Sequence, residues 1–157
     1  ALKSAEQVRT FGLPPKVAFL SHSNYGSSRR DSARRVREAF EIFRSMAPDV
    51  ECDGEMHGDA AMLEAIRRDN LMESPLHGEA NILVCPNIDA ANILFNILKA
   101  VTSGATTMGP MLMGAAAPAH VMTPSTTVRR ILAMMALVAA QAGQKAGVTR
   151  LRERSAG

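Results

Sequence analysis

The chain has 157 residues, of which 46% are hydrophobic and 4% aromatic, and a formal net charge of +3. This length is typical of one domain. The mild charge and the single Tyr argue against nucleic-acid binding, which uses a basic stripe and stacking aromatic residues. No signal peptide is visible, and the longest apolar run, 131–140, is too short to span a bilayer. We therefore expect a cytoplasmic domain that binds neither nucleic acid nor membranes.

Two further features concern the cysteines and the start of the chain. Cys52 and Cys85 fall in predicted strands. Two cysteines do not indicate a disulfide scaffold, so we expect both thiols to be reduced and buried. The residues that follow Ala1 read as the middle of a helix without a cap, which predicts that the chain is part of a longer protein.

The chain begins with a predicted helix, strand and polar loop. The helix over 1–11 ends at Gly12, which two prolines follow. The short apolar run 16–21 predicts a buried strand. The polar loop 21–28 then leads into the next helix.

The clearest helix is predicted over 29–47. One face is apolar, and Ser28 with Asp31 resembles a capping box at its start. The residues of the apolar stripe are Val36, Phe40, Phe43 and Ala47, flanked by Ala39, Ile42 and Met46.

The rest of the chain alternates between strands and helices. The predicted elements are a strand over 49–55, a helix over 59–69, a loop over 71–79, a strand over 81–85, a helix over 88–101, strands over 106–114 and 119–122, and a helix over 126–142. Asn87 can cap the helix over 88–101. The helix over 126–142 is apolar nearly all round, which predicts burial in a core or a subunit interface. The alternation predicts an α/β three-layer sandwich with a mostly parallel sheet.

Parallel sheets bind ligands at the carboxyl ends of their strands, which directs attention to the loop 21–28. Its hydroxyl and amide side chains, a glycine for close approach, and two arginines at the start of a helix suit phosphate or a pyrophosphate. A capped helix with solvated arginines explains these residues equally well, and neither a P-loop nor Gly-x-Gly-x-x-Gly is present. The candidate residues are Ser21, Ser23, Asn24, Gly26, Ser27, Arg29 and Arg30.

A cluster of ionisable residues surrounds His57. Its neighbours are Asp53, Glu55 and Asp59, which we interpret as a hydrated acidic loop, the alternative being carboxylates in a site. None of the four histidines has a close metal-ligand spacing to a Cys or another His, so we predict no metal site.

Four segments, taken in order, resemble the phosphate acetyltransferase/butyryltransferase family. They are 20–27 (LSHSNYGS), 53–55 (DGE) with 59–61 (DAA), 80–86 (ANILVCP) with 90–92 (AAN), and 108–114 (MGPMLMG). Each motif is short, but the ordered set covers roughly 16–142 and is specific. The form DGEMHGD is most similar to the version fused behind bacterial NADP-dependent malic enzymes, as their C-terminal domain.

The resemblance implies one lobe of a two-lobed, isocitrate dehydrogenase-like fold with a coenzyme A site in its cleft. We expect this lobe and its closing helix over 1–142, followed by a polar, frayed tail over 143–157. The implied partners are a malic enzyme domain in the same chain, which would hold NADP and a divalent metal, and further copies in a homodimer or higher homo-oligomer.

The departures from the family pattern concern the residues of acyl transfer. Active members carry a Ser-Arg-Gly loop and, a few residues later, an Asp thought to act as base. This chain has Thr123, Pro124 and Ser125 in that loop and Arg130 at the Asp position. Pro124 carries no charge, and Arg130 cannot act as a base. The resemblance therefore implies negligible transferase activity and no catalytic residue.

We thus expect a regulatory and oligomerisation domain that senses acetyl-CoA, without a cofactor of its own. Thr123 and Arg130 join the candidate effector site, since Arg129 and Arg130 add positive charge near a helix start. Thr123 and Pro124 also suit the N-cap and first position of that helix. The alternatives are an active phosphate acetyltransferase and a purely structural dimerisation lobe.

Overall fold

The computed structural model describes residues 1–70, 73–102, 108–124 and 126–155, which form two compact units, Ala1–Ile97 and Leu98–Gly157. The elements are α1 (Leu2–Thr10), β1 (Lys16–Leu20), α2 (Asp31–Met46), β2 (Glu51–Met56), α3 (Gly58–Met62), α4 (Glu64–Asn70), β3 (Ile82–Val84), α5 (Ile88–Val101) and α6 (Val128–Ser155).

The sheet of the first unit is parallel and has the order β2-β1-β3. The chain leaves the central strand β1 through α2 to reach β2 and then returns to the other side of β1. Helices cover both faces. The predicted α/β architecture with a parallel sheet is therefore confirmed, and the strand order reverses between β1 and β3.

The apolar stripe of α2 packs on one face of the sheet. Val36, Phe40 and Phe43 are all buried, as predicted. The Phe19 ring of β1 lies 5.9 Å from that of Phe40 and 5.5 Å from that of Phe43, between ring centroids. Such tilted aromatic pairs add to the stability that the buried area supplies.

The opposite face of the sheet is covered by α3 and by the segment before β3. The buried apolar residues there are Ala18, Leu20, Met56, Ala60, Ala61, Leu76 and Ala80. Arg67 of α4 is fully buried among these elements. Its guanidinium donates to the carbonyl oxygens of Ala60, Leu76 and Gly78, which ties the segment before β3 to α3.

Two predicted helix boundaries differ from the structure. The helix predicted over 59–69 is two helices that break at Leu63, whose backbone is extended. The reason is that the Ala60 carbonyl accepts from Arg67, seven residues on, instead of continuing the helix. The capping box was also wrong, because α2 begins at Asp31 with an extended Arg30 as N-cap and no side-chain cap bond.

The second unit departs further from prediction. Residues 108–114 and 119–122 form no strand, so both predicted strands are wrong there; Thr106 and Thr107 lie outside the described residues. Gly109, at φ +130°, and Gly114, at φ +91°, adopt conformations that interrupt a strand, and prolines remove further backbone donors.

The last helix also has different ends. It begins at Val128, where the Thr127 hydroxyl accepts from the Arg130 N–H, so Thr123 and Pro124 do not cap it. It then continues past residue 142 to Ser155, so the tail predicted to fray is helical up to that residue. The sequence 144–155 is rich in Gln, Lys, Arg, Leu and Glu, which favour helix. The domain boundary at 142/143 stays a prediction.

The two apolar helices bury little of their surface in this chain. No residue of α5 is buried. In the described part of α6, Met134 and Leu137 are buried, whereas Leu132 and Met135 are each 61% exposed. The all-round burial predicted for 131–140 is therefore not seen within one chain. Among the described residues, no helix combines the length and the apolar character that crossing a membrane requires.

Candidate functional site

The candidate site begins with an irregularity in β2. Phe19 of β1 pairs with Gly54, and Leu20 pairs with Met56, which leaves Glu55 as an extra residue opposite β1. Such a bulge re-aims a side chain. Gly54 has φ +147°, and a Cβ there would lie 2.8 Å from the Phe19 carbonyl oxygen, so a larger residue does not fit.

The loop 21–28 extends the pairing of β1 with β2. The Ser21 N–H donates to the Met56 carbonyl at 2.8 Å, and the Tyr25 N–H donates to the Glu55 carbonyl at 2.9 Å. Tyr25 has φ +46° and Gly26 has φ +88°, so the chain turns sharply there. The bulge and the loop therefore form one structure at the carboxyl end of the sheet.

The Glu55 carboxylate is fully buried and accepts hydrogen bonds from this loop. Its Oε1 accepts from the Ser23 hydroxyl at 2.7 Å and from the Gly26 N–H at 2.9 Å. Arg37 of α2 forms a bidentate pair with it, at 2.8 Å to each oxygen, and also donates to the Ser28 carbonyl. One carboxylate thus links the loop, β2 and α2.

Burial alone would raise the pKa of Glu55, but the hydrogen bonds from Arg37, Ser23 and Gly26 outweigh it and lower the pKa to about 2. The carboxylate is therefore ionised at neutral pH. Since Arg37 is permanently charged, the pair is a fixed structural element at that pH.

A second carboxylate of β2, Asp53, binds a different set of partners. It accepts from the Tyr25 hydroxyl at 3.1 Å and from the Ser74 hydroxyl. Burial and the neighbouring Asp53 charge raise the pKa of Tyr25, which stays protonated as a donor. In a regular strand Asp53 and Glu55 would share a face; the bulge lets one bind Ser74 and the other α2.

His57, which follows β2, also contacts residues of the loop. Its N–H donates to the Asn24 side-chain oxygen at 2.7 Å, and its Nε2 lies 3.0 Å from the His22 carbonyl. The interpretation of this region as a hydrated acidic loop was wrong for Asp53 and Glu55, because both are buried in β2 and fully engaged.

The predicted loop residues are brought together, but most of their polar groups bond within the loop. Ser21 accepts from the Ser23 N–H, and the Ser27 hydroxyl accepts from the Asn24 N–H. Ser23 is itself fully buried on Glu55. These side chains therefore stabilise the conformation of the loop. The exposed arginines beside it are the groups that could contact a ligand.

Those arginines are Arg29 and Arg30, and both are exposed. Neither has an acidic partner among the described side chains. Thr123 and Arg130 belong to the second unit; the Thr123 hydroxyl lies 3.3 Å from that of Thr126. Their place in the same site stays a prediction.

Sequence reasoning missed Glu55 and Arg37 as the residues that organise this site. A signal was present, because a glycine inside a strand pattern often marks a bulge, and Gly54 stands between two acidic residues of a predicted strand. No group of three or more potential metal ligands occurs in the described ranges.

Comparisons with known proteins give the family. The family model described as phosphate acetyl/butaryl transferase matches residues 1–139. The chain is 54% identical over 142 residues to the NADP-dependent malic enzyme of Salmonella typhimurium, covering 90% of this chain and 19% of that protein. It is 40% identical over 142 residues to the phosphate acetyltransferase of Paracoccus denitrificans, covering 90% and 44%.

The fold is also similar to that of a solved phosphotransacetylase. The phosphotransacetylase from Streptococcus pyogenes has a TM-score of 0.84 and 31% identity, covering 91% of this chain and 43% of that one. The chain thus spans about a fifth of the malic enzyme and under half of the phosphotransacetylases it matches. It belongs to the phosphate acetyl/butaryl transferase family.

Proposed function

We propose that this chain is a non-catalytic regulatory and oligomerisation segment of an NADP-dependent malic enzyme, and that it senses acetyl-CoA. The observation that carries the proposal is the replacement of the acyl-transfer residues, with Pro124 in the Ser-Arg-Gly loop and Arg130 at the position of the base. The higher identity to malic enzymes, 54% against 40% for a phosphate acetyltransferase, supports it.

The activity of the parent protein would then reside in a malic enzyme domain in the same chain. That domain would oxidise and decarboxylate malate to pyruvate with NADP and a divalent metal, in the cytoplasm. This segment would act by binding its effector more tightly in one state of the oligomer than in another.

The loop 21–28 is the part of the site that best suits the phosphates of acetyl-CoA. Its backbone is held in place by the buried Glu55 carboxylate, so little conformational entropy remains to be lost on binding. Arg29 and Arg30 lie exposed where the loop meets α2. A fixed loop edged by two arginines is a preorganised site for an anion.

We expect Arg30→Glu to raise the acetyl-CoA concentration that half-saturates control of malate oxidation by about 10- to 100-fold, since a charged hydrogen bond contributes about 1.5–3 kcal/mol. Ser27→Leu should act in the same direction by distorting the loop. NADPH formation measured in the intact protein over a range of acetyl-CoA concentrations checks this.

Lys3→Glu is the matched control for Arg30→Glu, because it makes the same charge change on exposed α1 and removes only a surface ion pair with Glu6. It should leave the acetyl-CoA response unchanged. An unaltered response in both Arg30→Glu and Ser27→Leu would place the effector elsewhere, with the segment from Thr123 to Arg130 as the next candidate.

We also expect the intact protein to be at least a homodimer at tens of micromolar. Helix α5 exposes Ile93 and Ile97, which lie one turn apart on the same face, at 61% and 55%, and such an apolar face is typical of an interaction surface. Ile93→Asp should weaken assembly, whereas Asn96→Asp adds the same charge on the same helix and should not. A monomeric mass by light scattering for the unmodified protein would contradict the expectation.

A purely structural dimerisation lobe would share these assembly properties without binding acetyl-CoA. Calorimetric titration of the intact protein with acetyl-CoA separates the two functions. A binding heat that saturates with acetyl-CoA, and a lower affinity in Arg30→Glu, would support a sensor. The absence of a binding heat would support the structural lobe.

A further inference from the structure

A cleft of about 210 Å³ opens on the α2 face of the sheet, beside the point where the strand order reverses. Its floor includes Phe19 of β1 and Val84 of β3, which are neighbours in the strand register. One wall is α2, and the other is the segment that follows β3. Crevices at such switch points are where open α/β sheets bind ligands.

The lining of this cleft combines apolar side chains with polar ones and a single charged group. Phe19, Val36 and Val84 are apolar, whereas Ser32 and Arg35 of α2 supply a hydroxyl and a guanidinium. Arg35 is the sole charged residue among those that line the cleft, and none of them is acidic. A ligand that matches this lining has an aliphatic chain and one negative group.

Arg35 differs from the other arginines of α2 in its partners. Arg34 pairs with Asp31 and Glu38, Arg37 pairs with Glu55, and Arg44 pairs with Glu41. No acidic side chain in the described part of the chain pairs with Arg35. A planar guanidinium binds a carboxylate through two parallel hydrogen bonds, so a carboxylate is the group that suits Arg35 best.

The volume limits the size of the ligand. Typical small-molecule pockets measure about 300–1,000 Å³, so this cleft takes a body of a few carbon atoms and excludes a whole coenzyme A. We propose that the cleft binds a short aliphatic monocarboxylate, with its carboxylate on Arg35 and Ser32 and its chain on Phe19 and Val84. The residues that line this cleft are not among those proposed to bind acetyl-CoA, so the proposal does not depend on the acetyl-CoA site.

Cys85 provides a reporter for the test, because it lines the same cleft and is half-buried, while Cys52 is buried in the core. The intact protein is labelled with iodoacetamide, which is uncharged, and each cysteine is followed by mass spectrometry. Burial raises the pKa of the Cys85 thiol, so the labelling is run at alkaline pH. Butyrate is the probe, at about 10 mM because so small a ligand binds weakly.

Butyrate is expected to slow the labelling of Cys85 at least threefold and to leave Cys52 unchanged, and butylamine at the same concentration should have no effect. Arg35→Gln should abolish the protection, whereas Arg34→Gln, an exposed change one residue away, should keep it. The proposal is overturned if butyrate gives no protection, if butylamine protects equally, or if Arg35→Gln remains protected. A Cys85 that resists labelling in the intact protein would overturn it as well, because the cleft would then be closed.

Discussion

No acyl transfer between coenzyme A and acetyl phosphate is expected from the proposed parent protein of this chain. A general base and a positive clamp each contribute about 10²-fold or more to such a rate, so losing both lowers it by about 10⁴-fold. The resemblance to the family places Pro124 at the position of the clamp and Arg130 at that of the base. Formation of acetyl-CoA, followed through thioester absorbance, measures the rate.

A phosphotransacetylase that retains the Ser-Arg-Gly loop, assayed beside it, shows that the conditions support turnover. The intact protein is the fair sample, because the chain spans 43% of its structural relative from Streptococcus pyogenes. Turnover of about 1 s⁻¹ or faster, which is ordinary for an enzyme, would show that the segment is an active transferase instead.

Glu55→Ala is expected to lower the free energy of unfolding of this chain by about 2–3 kcal/mol, the usual loss for hydrogen bonds to a buried charged group, because Arg37 is 36% exposed and is partly solvated once its partner is removed. The change leaves Arg37 without its carboxylate and removes the acceptor of the Ser23 hydroxyl and the Gly26 N–H. Urea unfolding followed by circular dichroism measures the loss.

Glu38→Ala is the control, because Glu38 is 55% exposed and pairs with Arg34 on the surface of α2. Its effect should stay within about 0.5 kcal/mol. Equal losses in the two variants would mean that the Glu55 network contributes no more than a surface ion pair.

The same carboxylate predicts a pH dependence. The pKa of Glu55 is lowered from an ordinary 4.5 to about 2 in the folded chain. Its stabilisation is therefore complete above the unfolded pKa and is lost as the pH falls from about 5 towards 2. The stability difference between the unmodified chain and Glu55→Gln should shrink between pH 7 and pH 3. A difference that stays constant would contradict the low pKa.

Much of the fold could be predicted because it depends on local periodicity. The stripe of Val36, Phe40 and Phe43 predicts both α2 and the face it buries, and α5 has the predicted bounds, Ile88–Val101. The Asn87 side chain accepts from the Ala90 N–H at 2.9 Å, as its capping position predicts. Such features need only neighbours in sequence, so a single chain reveals them.

Features that depend on distant partners were not predictable. The acidic residues next to His57 were interpreted as a hydrated loop, because the pattern does not show that Glu55 lies in a bulge. There it pairs with Arg37 and accepts a hydrogen bond from Ser23. The break at Leu63 likewise depends on Arg67 reaching the Ala60 carbonyl. In both places a hydrogen bond from a buried or half-buried arginine side chain overrides the local preference.

The sequence by itself therefore determined the alternation of helices and strands as far as α5, apart from the break at Leu63, as well as the family and the polar loop after β1 with its two arginines. The tertiary structure alone decided which side chains of that loop bond within the protein and which remain exposed. The Ser23 hydroxyl and the Gly26 N–H donate to the buried Glu55 carboxylate, whereas Arg29 and Arg30 remain exposed. The physical reason is that a carboxylate can be buried only when charged and hydrogen-bonding partners surround it, and folding alone brings residues 23, 37 and 55 together.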